Sequence, residues 1–261
     1  MHRETGRSIL AWLGLLLMVA SFVWLQLLPP IATFPITIQK PASEPPFAVV
    51  VIDPGHGGLD SGTMKTGMVE KDLTLDVARR VERLLQSRGL ATMLTRADDT
   101  YVSLAARAAL ANEQPNCIFI SIHFDEAGRP AATGIETYYA TRQISIPDRV
   151  MSWLPFFQKA SLESTNPESQ SLASFVQEEL VTHTQAVNRG TRPQQFFVIA
   201  NVRHPAVLVE GGFLTNKEDV SKLATEAYRE QIAAAISDGV VRYRDVLQQQ
   251  RTPLVVNLPG G

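Results

Sequence analysis

Val50-Val51-Ile52-Asp53-Pro54-Gly55-His56-Gly57-Gly58 joins two kinds of sequence. Its first part closes a continuous apolar run, residues 48–52, with the length and β-branched content of a strand buried on both faces, as in a parallel sheet. Its second part is a glycine-rich turn with a histidine at the centre. Open α/β sheets bind ligands at the carboxyl ends of their strands, so this turn is where a site is expected. Gly55, Gly57 and Gly58 permit sharp bends and close approach to His56. The spacing matches neither Gly-x-x-x-x-Gly-Lys-Ser/Thr nor Gly-x-Gly-x-x-Gly, and a central histidine suits a metal better than a phosphate cradle.

Outward from this stretch, strand-like and helix-like segments alternate. Residues 72–87 place Leu73, Val77, Val81, Leu84 and Leu85 on one helical stripe, which Gly89 ends. Residues 91–95 read as a strand, 103–112 as an alanine-rich helix, 116–122 and 134–139 as further strands. A helix is expected over 171–187, with Leu172, Phe175, Val176 and Leu180 on one face. Strands over 196–199 and 206–209 precede helices over 217–224 and 227–246. The alternation predicts an α/β fold, a largely parallel (mixed) twisted sheet with helices on both faces. Residues 141–168 break the rhythm, carrying Trp153, Phe156 and Phe157 between Pro147, Pro155 and Pro167. So long a segment inside a compact domain is a lid, a substrate contact or a short packed element.

The 261 residues suffice for one large domain and an appendage, and 45% apolar content allows a full core. A net charge of −2, with no basic run beyond the amino terminus, argues against nucleic acid as a partner. The single cysteine, Cys117, excludes an intrachain disulfide and a cysteine zinc cage, and its apolar surroundings make it a core residue. Residues 9–28 are apolar but for Gly14, Ser21 and Gln26, long enough to cross a membrane, with Trp12 and Trp24 near the ends. Arg3 and Arg7 favour a cytoplasmic amino terminus, which sends the rest outward. Residues 1–28 are therefore a transmembrane anchor, with a cleaved signal peptide as the competing reading. Residues 29–46, with six prolines, form an extended tether. The folded domain is expected over 47–249 and a loose tail over 250–261.

Three further residues share the setting of His56. His123 follows an apolar run, Glu70 precedes a helix, and Glu210 follows Val207-Leu208-Val209 and precedes two glycines. Each has an ordinary alternative: a core histidine, a carboxylate favouring the helix dipole, a loop ion pair. Together, two histidines and a carboxylate with an open fourth position are the usual composition of a catalytic zinc site. Glu210 in so apolar a setting should have a raised pKa, which suits taking a proton from a zinc-bound water and returning it to a leaving amine.

The ordered blocks make the resemblance specific. Ile52 to Gly58, Glu70-Lys71, Leu94-Thr95-Arg96, Leu104 to Arg107, Ser121-Ile122-His123, Gly134 to Tyr139 and Glu210 to Asn216 together resemble the zinc-dependent N-acetylmuramoyl-L-alanine amidases of the amidase type 3 family. The resemblance covers residues 48–243. It implies one zinc ion held by His56, Glu70 and His123, with Glu210 as catalytic carboxylate and peptidoglycan as substrate. The bond cleaved is the amide between N-acetylmuramic acid and L-alanine. Export by the amino-terminal segment agrees, placing the enzyme in the periplasm or on the outer face of the cytoplasmic membrane. An activator protein is left open. Phe124-Asp125 departs from the family pattern, so Asp125 is read as an acceptor holding His123 or as a surface residue. Glu136 lines the cleft or faces solvent. Arg96 and Arg107 support the fold through Asp98, Asp99 or backbone carbonyls. In some relatives a helix in the place of residues 141–168 blocks the metal, which makes autoinhibition through Glu163 or Glu168 an expectation. The rival readings are a non-catalytic wall-binding or regulatory protein on the same fold, and a zinc protease, which the absence of His-Glu-x-x-His disfavours.

Overall fold

A computed structural model describes residues 16–18, 45–65, 67–125, 131–143 and 166–251. The chain divides into two units, Met1–Ala42 and Ser43–Gly261. Of the first, residues 16–18 are helical and exposed. Among the described residues no helix is long and apolar enough to cross a membrane. The expected anchor and tether lie almost wholly outside the described residues.

The second unit begins with β1 (Val49–Pro54), a small hairpin of β2 (Met64–Lys65) and β3 (Met68–Val69), and α1 (Glu70–Ser87). There follow β4 (Thr92–Leu94), α2 (Leu104–Asn112), β5 (Cys117–Asp125), β6 (Ile135–Tyr139) and α3 (Pro167–Thr184). The chain continues through β7 (Asn188–Pro193), the helical turn α4 (Phe197–Ala200), β8 (Ala206–Phe213), α5 (Lys217–Leu223) and α6 (Glu226–Arg251). Six strands form one sheet in the order β4-β1-β5-β8-β6-β7. The first four run parallel; β6 is antiparallel to β8, and β7 is parallel to β6. This is the mixed, mostly parallel sheet that the alternation predicted.

Strand alternation divides the core. Val50, Ile52, Ile118, Ile120, Ile122, Val207 and Val209 face the larger layer made by α1, α3 and α6. Val51, Cys117, Phe119, Ala206 and Leu208 face the smaller layer made by α2 and α4. Helices thus cover both faces, which is why β1, β5 and β8 read as unbroken apolar runs. Each fully buried Val, Leu, Ile or Phe contributes about 1.5–3 kcal/mol relative to exposure, so the two layers hold the central strands firmly. Cys117 is buried as expected, and burial alone pushes its thiol up to about 12.

Three sequence expectations are corrected. Residues 196–199 are not a strand: Phe197–Ala200 form a helical turn that buries Val198, Ile199 and Ala200 on the smaller face. A short apolar run has no periodicity to separate strand from helix. The strand lies just before it, in Asn188–Pro193, which has no large apolar side chain because it is a half-covered sheet edge paired with β6 alone. The helix expected from 171 begins at Pro167, with Asn166 capping the Ser169 N–H, so Glu168 belongs to α3. At the other end α6 runs to Arg251, two residues past the expected domain limit.

Candidate metal centre

The turn after β1 is built by two buried arginines. Arg96 donates to the carbonyls of Pro54 (3.0 Å) and Gly55 (2.9 Å), and Arg107 to those of Pro54 (2.6 Å) and His56 (2.6 Å). Three successive carbonyls are thereby fixed by the planar forks of two guanidinium groups. Arg107 also pairs with the buried Asp53 at 2.7 Å, and Asp53 accepts from Thr95 Oγ1 and Ser121 Oγ as well. The support expected from backbone carbonyls is present. The expected carboxylate partners are not: Arg96 meets Asp98 through its carbonyl, and Asp99 instead pairs with Lys71 at 2.7 Å.

Held this way, His56 sits at φ 61, a left-handed conformation uncommon outside glycine. Its Nδ1 lies 2.9 Å from Asp60 Oδ1, an oxygen that also accepts from the Gly62 N–H at 3.1 Å. Burial acts to raise the Asp60 carboxyl, but the hydrogen bond with His56 and the Gly62 N–H outweigh it and hold it below its ordinary value. An ionised Asp60 on Nδ1 fixes the ring and leaves Nε2 facing Glu70, where it could ligate a metal. Gly55 leaves room for the second histidine: a Cβ there would stand 2.4 Å from Cε1 and Nε2 of His123.

Glu70 is the first residue of α1 and is 3% exposed. Its Oε1 lies 3.1 Å from His56 Nε2 and 3.1 Å from His123 Nδ1. Its other contacts are the N–H groups of Thr63 (2.8 Å, to Oε2) and Phe124 (3.1 Å, to Oε1). Burial acts to raise this carboxyl, and the hydrogen bonds from His123 and His56 overcome it, leaving Glu70 far below the usual carboxylate range. For His56 burial acts to lower the pKa, and Glu70 and Asp60 together leave it raised.

The donor atoms of His56, Glu70 and His123 all lie within 4.8 Å of one another. A tetrahedral ion with bonds of about 2.0–2.1 Å separates its ligands by roughly 3.3 Å, so two of the three edges already have nearly the right length. A second trio among the described residues, Glu179, His183 and Asp238, fits less well. Its carboxylates are already paired, Glu179 with Arg242 at 2.6 Å and Asp238 with Arg88 at 2.5 Å.

Glu210 is the register partner of His123, one strand away on the same face, and is 7% exposed. Neither strand stops at these residues: β5 continues to Asp125 and β8 to Phe213, with a register irregularity between them. The sequence places all four residues at one edge of the sheet, and the fold brings them there.

Residues 50–242 match the amidase 3 family, described as N-acetylmuramoyl-L-alanine amidase. The chain belongs to this family. The crystal structure of an N-acetylmuramoyl-L-alanine amidase from Clostridium difficile 630 is 34% identical and superposes with a TM-score of 0.66, covering 77% of this chain and 98% of that one. The N-acetylmuramoyl-L-alanine amidase LytC of Bacillus subtilis is 36% identical over 194 residues, which are 74% of this chain and 35% of LytC. The CwlD amidase from Clostridioides difficile, solved in complex with the GerS lipoprotein, is 26% identical with a TM-score of 0.65, covering 76% of this chain and 99% of that one. The amidase family is therefore the one the sequence led us to expect.

Within this amidase 3 domain, other expected residues fall differently. Asp125 closes β5, but its side chain lies outside the described residues, as do Glu163 and residues 144–165. Glu168 does not adjoin His56, Glu70 and His123. It lines a depression at the opposite, amino-terminal edge of the parallel strands, with Pro46, Asn116 and Pro205. Both flanks of the 144–165 segment lie there: Gln143 donates to the His204 carbonyl, and Ser169 Oγ accepts from the Ala206 N–H. Glu136 does not face solvent. It is 1% exposed, accepts from Tyr138 and pairs with Arg189 and Arg192. Asp60 escaped the sequence reading, although a carboxylate four residues after a turn histidine is itself a signal. Replacing Asp60 with alanine is expected to weaken metal binding about 10–100-fold, the usual cost of losing a carboxylate behind a ligating histidine. Competition with a chelating indicator measures this, and unchanged affinity would show that His56 is oriented without Asp60.

Proposed function

We propose that this chain is a zinc-dependent hydrolase of the amide between N-acetylmuramic acid and L-alanine in peptidoglycan, with His56, Glu70 and His123 as ligands and Glu210 as proton carrier. The convergence of the three donor atoms one strand from Glu210 carries this reading. Zinc, when bound, supplies Lewis acidity that activates water and polarises a carbonyl near neutral pH. Glu210 accepts the proton that water loses as it adds to the carbonyl carbon. As the C–N bond breaks, Glu210 returns that proton to the departing alanine nitrogen, leaving a lactyl carboxylate and a free amine. Asp60 holds the His56 imidazole through Nδ1 throughout, and Arg96 and Arg107 keep the turn from relaxing.

Residues 1–28 export this domain and anchor it, with a cleaved leader as the competing form; residues 29–46 tether it to the membrane. Peptidoglycan lies outside the cytoplasmic membrane, which agrees with that topology. The lipoprotein seen with CwlD makes a protein partner part of this reading. To test the activity, the full chain is incubated with purified peptidoglycan, and released products are followed by mass spectrometry with zinc, with chelator and after zinc is restored. The expected result is L-alanine-headed stem peptides that vanish with chelator and return with zinc. Binding to the wall without release in any arm would favour the non-catalytic reading instead.

A further inference from the structure

The edge strand β7 carries two arginines, Arg189 and Arg192, three positions apart. Regular alternation would send them to opposite faces of the sheet. Here β6 advances two residues, Ile135 to Thr137, while β7 advances three, Asn188 to Thr191. Gly190, at φ 82, takes up the extra residue. Asn188 Oδ1 pins the bulge by accepting from the Gly190 N–H (2.9 Å) and from Gln177 Nε2 (2.8 Å). Bulges of this kind re-aim side chains. Both arginines consequently meet the same oxygen, Glu136 Oε2, through Nε at 3.3 and 3.1 Å.

That oxygen belongs to the row of the metal centre. His123 is in register with Glu210, and Glu210 with Glu136. With strands about 4.8 Å apart, β7 lies about 10 Å from the Glu210 strand and about 14 Å from the His123 strand. A second irregularity, two residues of β5 against three of β8, occurs between Glu210 and Phe213. Arg189 stacks its guanidinium 4.7 Å from the Phe213 ring centroid, which steers it back over the carboxyl end of β8. Two cations thus face Glu136, with Glu210 beside it in register as a second carboxylate. Because each arginine touches Glu136 through Nε, the Nη fork of each can receive a second planar acceptor. Arg192 is 52% exposed and Arg189 27%, so both are open to a ligand.

We propose that Arg189 and Arg192 form a subsite for a carboxylate of the stem peptide, with Glu136 as the residue that positions them. This rests on the amidase reading. A peptide advances about 3.3–3.6 Å per residue, so the recognised carboxylate lies within about three residues of the scissile amide.

The test uses the full chain depleted of metal, so that ligands stay intact, and muramyl peptides whose second-residue carboxyl is either free or amidated. Calorimetry is expected to show the free form binding about tenfold or more tightly, the scale of a charge-assisted pair, with the ratio shrinking as salt is added. Arg189→Gln and Arg192→Gln are expected to bring the ratio close to one. Removing an arginine beside buried Glu136 can disturb folding, so the wild-type ratio and its salt dependence decide alone if a variant does not fold. A wild-type ratio near one overturns the subsite. Peptidoglycan hydrolysis by the zinc-loaded chain is scored separately. Hydrolysis with a ratio near one removes the subsite and leaves the amidase reading standing. A high ratio without hydrolysis does the reverse.

Discussion

Glu210→Gln is expected to lower amidase turnover by about 10²–10⁴-fold, the usual contribution of a positioned general acid–base. Glutamine keeps the shape but cannot take a proton from water or return it to the alanine nitrogen. Metal content should not change, because the trio placed to hold a metal, His56, Glu70 and His123, does not include Glu210. The neighbouring carboxylate Glu136 is a poor substitute, since Tyr138 and two arginines occupy it. Mass spectrometry of released stem peptides, beside metal analysis of the same preparation, separates the possibilities. Full metal content with turnover within tenfold of wild type would exclude Glu210 as the proton carrier. Loss of metal together with turnover would make it a ligand instead.

What the sequence made legible follows from where the chain is constrained on two sides. β1, β5 and β8 are covered on both faces, so they appear as apolar runs, and the residues that follow those runs are the candidates for chemistry. His56, His123 and Glu210 could be read that way because each follows an apolar run, and Glu70 because it stands at the start of a helix. Asn188–Pro193 could not, because an edge strand paired on one side has no apolar signature. Register is not written in composition either. That Glu210 lies between His123 and Glu136 depends on the pairing of three strands, one of them reversed. The bulge that gathers Arg189 and Arg192 depends on a single glycine. Glu168 illustrates the opposite error: proximity in sequence to a long segment carried no information about the edge of the sheet on which it ends.

The same distinction governs the strongest prediction about the metal. Glu70→Gln is expected to weaken zinc binding by more than about 100-fold, beyond the 10–100-fold cost of losing a residue behind the ligands. The charge is lost, and so is half of the acceptor capacity. Glu70 offers Oε1 to both imidazoles and the Phe124 N–H, and Oε2 to the Thr63 N–H. An amide has one oxygen, so one of those backbone donors would face an NH2 group in a site that is 3% exposed. The metal-free chain should feel the change as well. Glu70 is held far below its ordinary range, so its contribution to stability is present above the unfolded carboxylate value of about 4.3 and is lost as pH falls further. Chelated wild type should therefore unfold at a higher temperature than chelated Glu70→Gln near neutrality, and the gap should close as the pH is lowered below about 4. Chelator competition and thermal melts across that range read the two effects independently. Equal zinc affinity in the two proteins would remove Glu70 from the ligand set, whereas equal melts at neutral pH would show that its charge is compensated without net stabilisation.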